Sequence, residues 1–147
     1  YTQSSGIYYA SKSAAAETTV VSIPIAIPRL DNQYGIRLKS INIPVRVGTA
    51  DLSSAPTITL YQQNLGVPTN TTPANITATT ITTTNNATVT NNAADRLWTV
   101  TVTTPTLENA TGTVSDQSYL LVLSIPCATT TALRVYDATV IYDSVEM

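Results

Sequence analysis

The sequence predicts an all-β protein, built as a single β-sandwich or jelly roll of about six to eight antiparallel strands with an N-terminal arm before the first strand. Threonine fills about a fifth of the 147 positions and alternates with Val, Ile and Leu. Nearly every patterned stretch has period two, which puts successive side chains on opposite faces of a strand. No stretch has a 3.6-residue period with caps, and the helix formers in residues 11–17 are too few to form a helix alone.

Proline marks the expected sheet edges. Residues 20–27 place four aliphatic side chains on one face, whereas Pro24 and Pro28 have the opposite parity. Because proline cannot donate to a ladder, this first strand is expected at an edge or only partly paired. In the next strand, residues 36–47, Pro44 predicts an exposed edge for the second half.

The other patterns predict one bulge and four further strands. Around Ser40 the apolar positions change from even to odd numbers, which predicts a β-bulge or a bend. Residues 57–61 form a short strand, and residues 97–103 show the clearest alternation. Residues 119–125 are almost continuously apolar, as in a strand buried on both faces. Residues 133–143 form the last strand, with Tyr136, Ala138, Val140 and Tyr142 expected on one face and Val135, Asp137, Thr139 and Ile141 on the other.

Residues 69–90 differ from the rest because half of them are threonine. We expect this segment to be a strand pair or a loop that runs over the surface with at least one face in solvent. The alternative is a ladder of threonine hydroxyls against a neighbouring subunit, since β-branched threonine favours extended backbone.

The composition argues against an enzyme and against a bound cofactor. The chain has no His, the commonest general base and metal ligand, so Ser-His-Asp and Cys-His mechanisms are excluded and a zinc site is not expected. The seven Lys and Arg residues are spread along the chain without a basic patch, which disfavours nucleic-acid binding. No apolar run reaches the length of about 20 residues that crosses a bilayer, so no membrane partner is expected.

The thiol and the carboxylates give no catalytic pattern. Cys127, the single cysteine, follows the most apolar stretch and is expected to be a small buried side chain. No alternating Asp/Asn calcium loop is present, and no pair of carboxylates is marked as a glycosidase pair. Most carboxylates occupy predicted turns. They are Glu17, Asp31, Asp51, Asp95, Glu108, Asp116, Asp137, Asp143 and Glu146.

The surface offers two kinds of candidate sites. The arm, residues 1–16, contains Tyr8 and Tyr9 and is expected to make subunit contacts more than to pack on its own domain, residues 17–147. Four Asn-x-Thr sequons are weak candidates for glycosylation, since chance predicts roughly three in so Thr-rich a chain. They begin at Asn70, Asn75, Asn86 and Asn109.

Several segments together resemble a known group of proteins. The segments are residues 6–17, 21–28, 34–41, 50–61 and 132–142. They are similar to small all-β virion surface proteins of phage-like and environmental viruses, of the jelly-roll decoration (cement), head-fibre or tail-fibre type. Residues 69–90 depart most from this likeness.

The resemblance implies a mechanical role at the virion surface, outside the cell. A decoration protein binds at capsomer junctions and stabilises the shell by mass action. The implied partners are further copies of the chain, with a trimer favoured, the major capsid or other virion proteins, and a cell-surface glycan. The expected interface residues are those at unpaired edges: Tyr8, Tyr9, Pro24, Pro28, Tyr136 and Tyr142.

Two alternatives stay open at this point. The chain could be a subunit of an extracellular filament or pilus in which an N-terminal strand completes the sheet of the next copy. It could also be a carbohydrate-binding module, which would need exposed aromatic side chains on one sheet face. Trp98, however, alternates with valines and is expected in the core.

Overall fold

The computed structural model describes residues 2–4, 7–12, 16–26, 34–65, 76–89, 95–103, 107–108 and 117–146. Within these ranges the chain is all-β, with twelve strands in two antiparallel sheets and no helix. The strands are β1 Thr2–Ser4, β2 Ile7–Ser11, β3 Glu17–Ile25, β4 Tyr34–Gly48, β5 Thr57–Leu65, β6 Ile76–Ile81, β7 Thr83–Asn85, β8 Asp95–Val102, β9 Leu107–Glu108, β10 Gln117–Cys127, β11 Ala132–Val135 and β12 Thr139–Glu146.

The twelve strands exceed the six to eight expected because long strands are broken and because the arm itself forms strands. Strands β6 and β7 are interrupted only at Thr82, where the chain passes from one sheet to the other. In the arm, β1 and β2 form a hairpin, and β2 pairs with β11. The poor alternation of the arm sequence did not indicate this hairpin.

The small sheet has four strands in the order β3-β10-β5-β6, all antiparallel. Strand β3 lies at one edge, with β10 as its neighbour, which confirms the edge position predicted from Pro24. Pro28 lies outside the described residues. Strand β10 has a neighbour on each side along most of its length, because its residues 119–127 pair with β3 and its residues 117–124 pair with β5.

The large sheet has eight strands and is centred on the long strand β4. Strands β11 and β12 pair with successive parts of one side of β4, and β8 and β9 pair with the other side. The hairpin β1–β2 extends the sheet beyond β11, and β7 extends it beyond β8. The edge position predicted for Pro44 is therefore wrong, since β4 is the central strand.

A break in the neighbouring strand explains how a central strand accommodates Pro44. The carbonyl of Pro44 accepts a hydrogen bond of 3.0 Å from the N–H of Tyr136, in the interval between β11 and β12. In an extended strand the N and C=O groups of one residue point to the same side. The hydrogen bond that Pro44 cannot donate thus falls where the ladder is interrupted.

Because of the same interruption, the prediction of one strand over residues 133–143 is wrong, and so is the prediction of which of its side chains share a face. Val135 pairs with Val45, but Thr139 pairs with Asn42, so the C-terminal strand carries one extra residue between the two pairs. Val135 is buried, and Val140 also packs against the core, although the unbroken pattern put them on opposite faces.

The bulge predicted around Ser40 is confirmed. It cancels the one-residue shift in register that arises between β11 and β12. Ile141 pairs with Ser40 and Tyr142 pairs with Leu38, so Lys39 is the extra residue on β4. Because each side contributes one extra residue, β11 and the second half of β12 pair with β4 in the same register on either side of the interruption.

One hydrophobic core contains buried side chains from both sheets, so the sheets bury their facing sides against each other. Trp98 is buried to 3% exposure, which confirms the predicted core position. Strand β10 contributes alternate residues to the core, whereas Leu120 and Val122 are only half-buried on its other side. The prediction of burial on both faces is therefore correct for one face only. No helix in the described ranges is long and apolar enough to cross a membrane.

Candidate interaction surfaces

The small sheet presents a face of uncharged side chains away from the core. Along β3 and β10, residues alternate with the buried ones and are exposed or half-buried. Val20 is 62% exposed, and the pairing places it beside Ser124 of β10 and, beyond that, Thr57 of β5. We call this surface the uncharged face. Its described side chains are Thr18, Val20, Ser22, Pro24, Ala26, Thr57, Thr59, Tyr61, Gln63, Ala78, Thr80, Leu120, Val122, Ser124 and Pro126.

Apolar groups lie in adjacent rows across the uncharged face. One row runs from Pro24 through Leu120 to Tyr61. The next row contains Val122, and Val20 lies in the row beyond it. Pairs directly across a ladder have Cβ atoms about 5 Å apart and successive rows are about 7 Å apart, so these side chains occupy three adjacent rows of one face.

The outer face of the large sheet is charged instead. Lys39 and Asp143 form an ion pair of 3.5 Å, with both side chains more than half exposed. Thr99 Oγ1 donates a hydrogen bond of 3.0 Å to Asn42 Oδ1 on the neighbouring strand. Leu97, 53% exposed, lies on the same face beside Pro44.

One end of the large sheet holds an open pocket of about 430 Å³, which we call the arginine pocket. Three of the seven Lys and Arg residues of the chain line it, although the sequence spreads them over more than 120 positions. The fold brings them together because β2, β4 and β11 end or begin at the same place. The lining residues are Ser11, Lys12, Arg46, Gly48, Thr49, Ala132, Leu133 and Arg134.

The predicted interface residues are distributed over both sheets. Tyr8 and Tyr9 belong to β2, opposite Gln3 and Thr2 of β1. Pro24 is exposed on the uncharged face. Two of the six therefore lie in the arm hairpin and one lies on the small sheet.

The two C-terminal tyrosines lie on the large sheet. Tyr136 is half-buried in the interval between β11 and β12, and its backbone N–H donates a hydrogen bond to the carbonyl of Pro44. Tyr142 is 43% exposed in β12, opposite Leu38. Pro24 therefore lies on a different sheet from the other described members of the predicted interface.

Of the four sequons, one lies among the described residues. Asn86 is exposed, but its side chain is engaged: Oδ1 accepts a hydrogen bond of 2.7 Å from the N–H of Thr99, and Nδ2 donates one of 3.5 Å to the carbonyl of Leu97. Nδ2 is the atom to which an N-linked glycan would be attached. Asn70, Asn75 and Asn109 lie outside the described residues.

Cys127 is buried and free, which confirms the predicted environment. Its thiol donates a hydrogen bond of 3.5 Å to the carbonyl of Ile125 and lies 4.0 Å from Thr19 Oγ1. Burial is the main influence on the thiol and raises its pKa above the usual 9.0. A protonated, buried thiol is a poor nucleophile.

The aspartates of the described part of the chain lie at the surface. The acidic and thiol groups there form no cluster of three or more that could hold a metal ion. Asp51, Asp95, Asp137 and Asp143 are all exposed.

Searches of protein-family models, of curated proteins and of solved structures find no match for this chain.

Proposed function

We propose that this chain is a non-enzymatic structural subunit of a virus particle, a capsid decoration or fibre protein of sandwich or jelly-roll type, that acts through contacts between copies of itself at the virion surface. The observation that carries the proposal is the uncharged face of the small sheet. The resemblance of five sequence segments to virion surface proteins supports the same reading.

The uncharged face has the chemistry of a subunit contact. Contiguous exposed apolar surface on a soluble protein marks an interaction site, because its transfer from water is favourable by about 25 cal/mol per Å². Leu120, Val122 and Tyr61 already lie half-buried between strands. Covering them would therefore cost little side-chain entropy.

A second copy of the chain suits this face better than a charged partner. Each copy has a formal net charge of −2, so two copies repel each other weakly. Among the described residues, no charged side chain lies on the uncharged face, whereas the large sheet carries charges on its outer face. Association through the uncharged face keeps the like charges apart.

The edges of the sheets favour a closed oligomer over an open filament. Pro24 interrupts the free side of β3, which discourages another strand from pairing there. In the arm, β2 is already paired with β1 and with β11 of the same chain, so it is not a free donor strand. A trimer, closed by rotation, matches local three-fold sites on a shell.

Light scattering behind size-exclusion chromatography tests the proposal, with the wild-type chain and two matched variants. Val20→Lys puts a charge on the uncharged face, and Leu97→Lys puts one on the outer face of the large sheet. Both positions are more than half exposed, so neither change should unfold the chain. We expect a trimer for the wild type and for Leu97→Lys, and a monomer for Val20→Lys.

Other results would contradict the proposal. Open-ended assemblies of the wild type would favour the filament, and a monomer would favour a binding module. A trimer that survives Val20→Lys but not Leu97→Lys would place the contact on the large sheet.

A further inference from the structure

Strand β6 is an edge strand of the small sheet without the features that usually protect such edges. Among the described strands its neighbour is β5, which pairs with it from Leu60 to Leu65. An edge presents a row of N–H and C=O groups to which another strand can pair, and natural edges are blunted by charges, proline or short length. Strand β6 reads Ile-Thr-Ala-Thr-Thr-Ile, and residues 52–94 contain no charged side chain.

The other edges in the described part of the chain do carry such protection. Strands β1, β7 and β9 are only two or three residues long. Strand β3 contains Pro24, and β12 contains Asp143 and Glu146. Among the described strands, β6 alone therefore offers an edge of ordinary strand length that is free of both charge and proline.

The edge strand β6 is held in place by contacts with both sheets. Ile81, at its end, is half-buried and packs against the core. The carbonyl of the next residue, Thr82, accepts a hydrogen bond of 3.0 Å from the N–H of Thr103, which directly follows β8 in the large sheet. Because the strand is already ordered in this way, a second strand that pairs with it has little ordering cost to overcome.

The same strand of a second copy is the occupant that suits this edge. Two copies of β6 can lie side by side without like-charge repulsion, because neither is charged. Threonine, at three of its six positions, favours extended backbone and cross-strand hydroxyl contacts. Pairing with β3 of another copy is discouraged by Pro24. That exclusion disfavours head-to-tail addition, which would build an open filament.

We propose that β6 pairs with β6 of a second copy, antiparallel and around a two-fold axis normal to the small sheet. The two four-stranded sheets then form one continuous sheet. Such an axis keeps equivalent faces on the same side, so each residue lies opposite one of its own parity and the pair is centred on Ala78 or Thr79. On a shell the contact links neighbouring trimers, a role that rests on the proposed function, whereas the pairing itself does not.

Sedimentation velocity from about 10 μM to about 1 mM tests the pairing, since a contact well below about 1,200 Å² is weak. The Val20→Lys chain, expected to be a monomer, isolates the edge from the uncharged face. We expect the mass of this chain to double as its concentration rises, and the wild-type trimer to form a hexamer.

A lysine in β6 should weaken this doubling, and a lysine on another edge should not. Thr79 is exposed, and its side chain points away from the uncharged face because its parity is opposite to that of Ala78 and Thr80. Thr79→Lys, added to the Val20→Lys chain, should weaken association at least about tenfold, since two lysines then lie opposite or diagonal to each other across the axis. Thr84→Lys, at an exposed position of β7, is the matched control and should leave association unchanged.

Amide hydrogen exchange measured by NMR locates the contact in the chain. In an edge strand alternate N–H groups point away from the neighbouring strand. Every second amide of β6 should therefore gain protection at the higher concentration, while the amides of β12 should not change.

Several results would overturn the pairing. They are a mass that stays constant over the whole range, protection on β12 instead of β6, and equal weakening by Thr79→Lys and Thr84→Lys. Growth of the mass beyond a doubling would overturn the two-fold closure. If Val20→Lys stays a trimer when dilute, the proposed trimer contact fails, but a doubling of that trimer that Thr79→Lys abolishes still supports the β6 pairing. Thermal unfolding of each variant checks that the fold is retained.

Discussion

The hydroxyl group of Thr131 joins two segments that are far apart in the chain, since its Oγ1 donates a hydrogen bond of 2.8 Å to the backbone carbonyl of Asp51. The same oxygen accepts a hydrogen bond of 3.1 Å from the N–H of Ala128. Thr131 is one of two buried polar residues in the described chain, at 4% exposure. It fixes the turn that precedes β11 and thereby one wall of the arginine pocket.

Thr131→Val should lower the free energy of unfolding by about 1–3 kcal/mol, because valine keeps the shape but removes both buried hydrogen bonds of the hydroxyl. Urea unfolding followed by the fluorescence of Trp98, the single tryptophan, measures the change. Thr131→Ser, which keeps the hydroxyl, should lose less. A Thr131→Val variant as stable as the wild type would show that the hydrogen bonds contribute nothing measurable.

Asn86→Ala should destabilise the chain by about 1 kcal/mol, since it removes the two hydrogen bonds by which this side chain extends the ladder of β8 beyond β7. Thr84→Ala, at an exposed position of β7, is the matched control and should change stability by less. The same urea titration measures both. If the two variants are indistinguishable, the Asn86 contacts contribute nothing measurable.

Deletion of Lys39 should be tolerated, whereas deletion of Asn42 should not. Without Lys39 the inward positions Leu38 and Ile41 would be separated by Ser40 alone, which is regular alternation. Without Asn42 the inward-facing Ile41 and Ile43 would become adjacent, so one of them and the residues beyond it would change face. Circular dichroism and the cooperativity of thermal unfolding report the outcome. Loss of folding on deletion of Lys39 would mean that the twist of the bulge is itself required.

The stability of the chain should fall above pH 9 because of Cys127. Its folded-state pKa is raised above the ordinary value of 9.0, so the thiol is protonated in both states below that pH. Above it the unfolded chain releases the proton first, and stability declines by up to about 1.4 kcal/mol per pH unit until the folded thiol also ionises.

The difference between wild type and Cys127→Ala isolates this effect, because all other ionisable groups are common to both chains. Urea midpoints measured between pH 7 and pH 10.5, about the range of thiol ionisation, give the two curves. Their separation should be constant below pH 9 and should shrink above it. A constant separation throughout would show that Cys127 ionises equally in both states.

Thr49→Gly should raise the free energy of unfolding by up to about 1 kcal/mol, because glycine adopts a φ of 66° without the steric cost that threonine has there. Thr49→Ala, which keeps a Cβ, is the control and should gain less. A loss of stability on Thr49→Gly would mean that side-chain contacts of Thr49 outweigh the backbone strain.

Local patterns were sufficient for strands whose alternation continues unbroken. The edge position of β3 followed from Pro24, and the bulge followed from the change of phase at Ser40. Pro44 was misread, because a proline shows only that one hydrogen bond is missing. The missing hydrogen bond can lie at a sheet edge or opposite a break in the neighbouring strand. Here the break is at Tyr136, which is distant from Pro44 in sequence.

The candidate sites were less predictable than the fold. The uncharged face could be read in part from β10, where Leu120 and Val122 alternate with buried residues, but its extent depends on β3 and β5. The arginine pocket gave no sequence signal at all. Lys12, Arg46 and Arg134 are isolated in sequence and meet only because β2 and β11 pair beside β4.

The sequence by itself determined that this protein is all-β, which residues enter the core in the strands whose alternation is unbroken, and that Trp98 and Cys127 are buried. These properties depend on alternation and hydrophobicity, which act between near neighbours in the chain. The tertiary structure alone decided which strands pair, which apolar face stays in solvent and which charges come together. Those outcomes depend on ladder hydrogen bonds between distant segments, and a strand can form such bonds with almost any partner of suitable register.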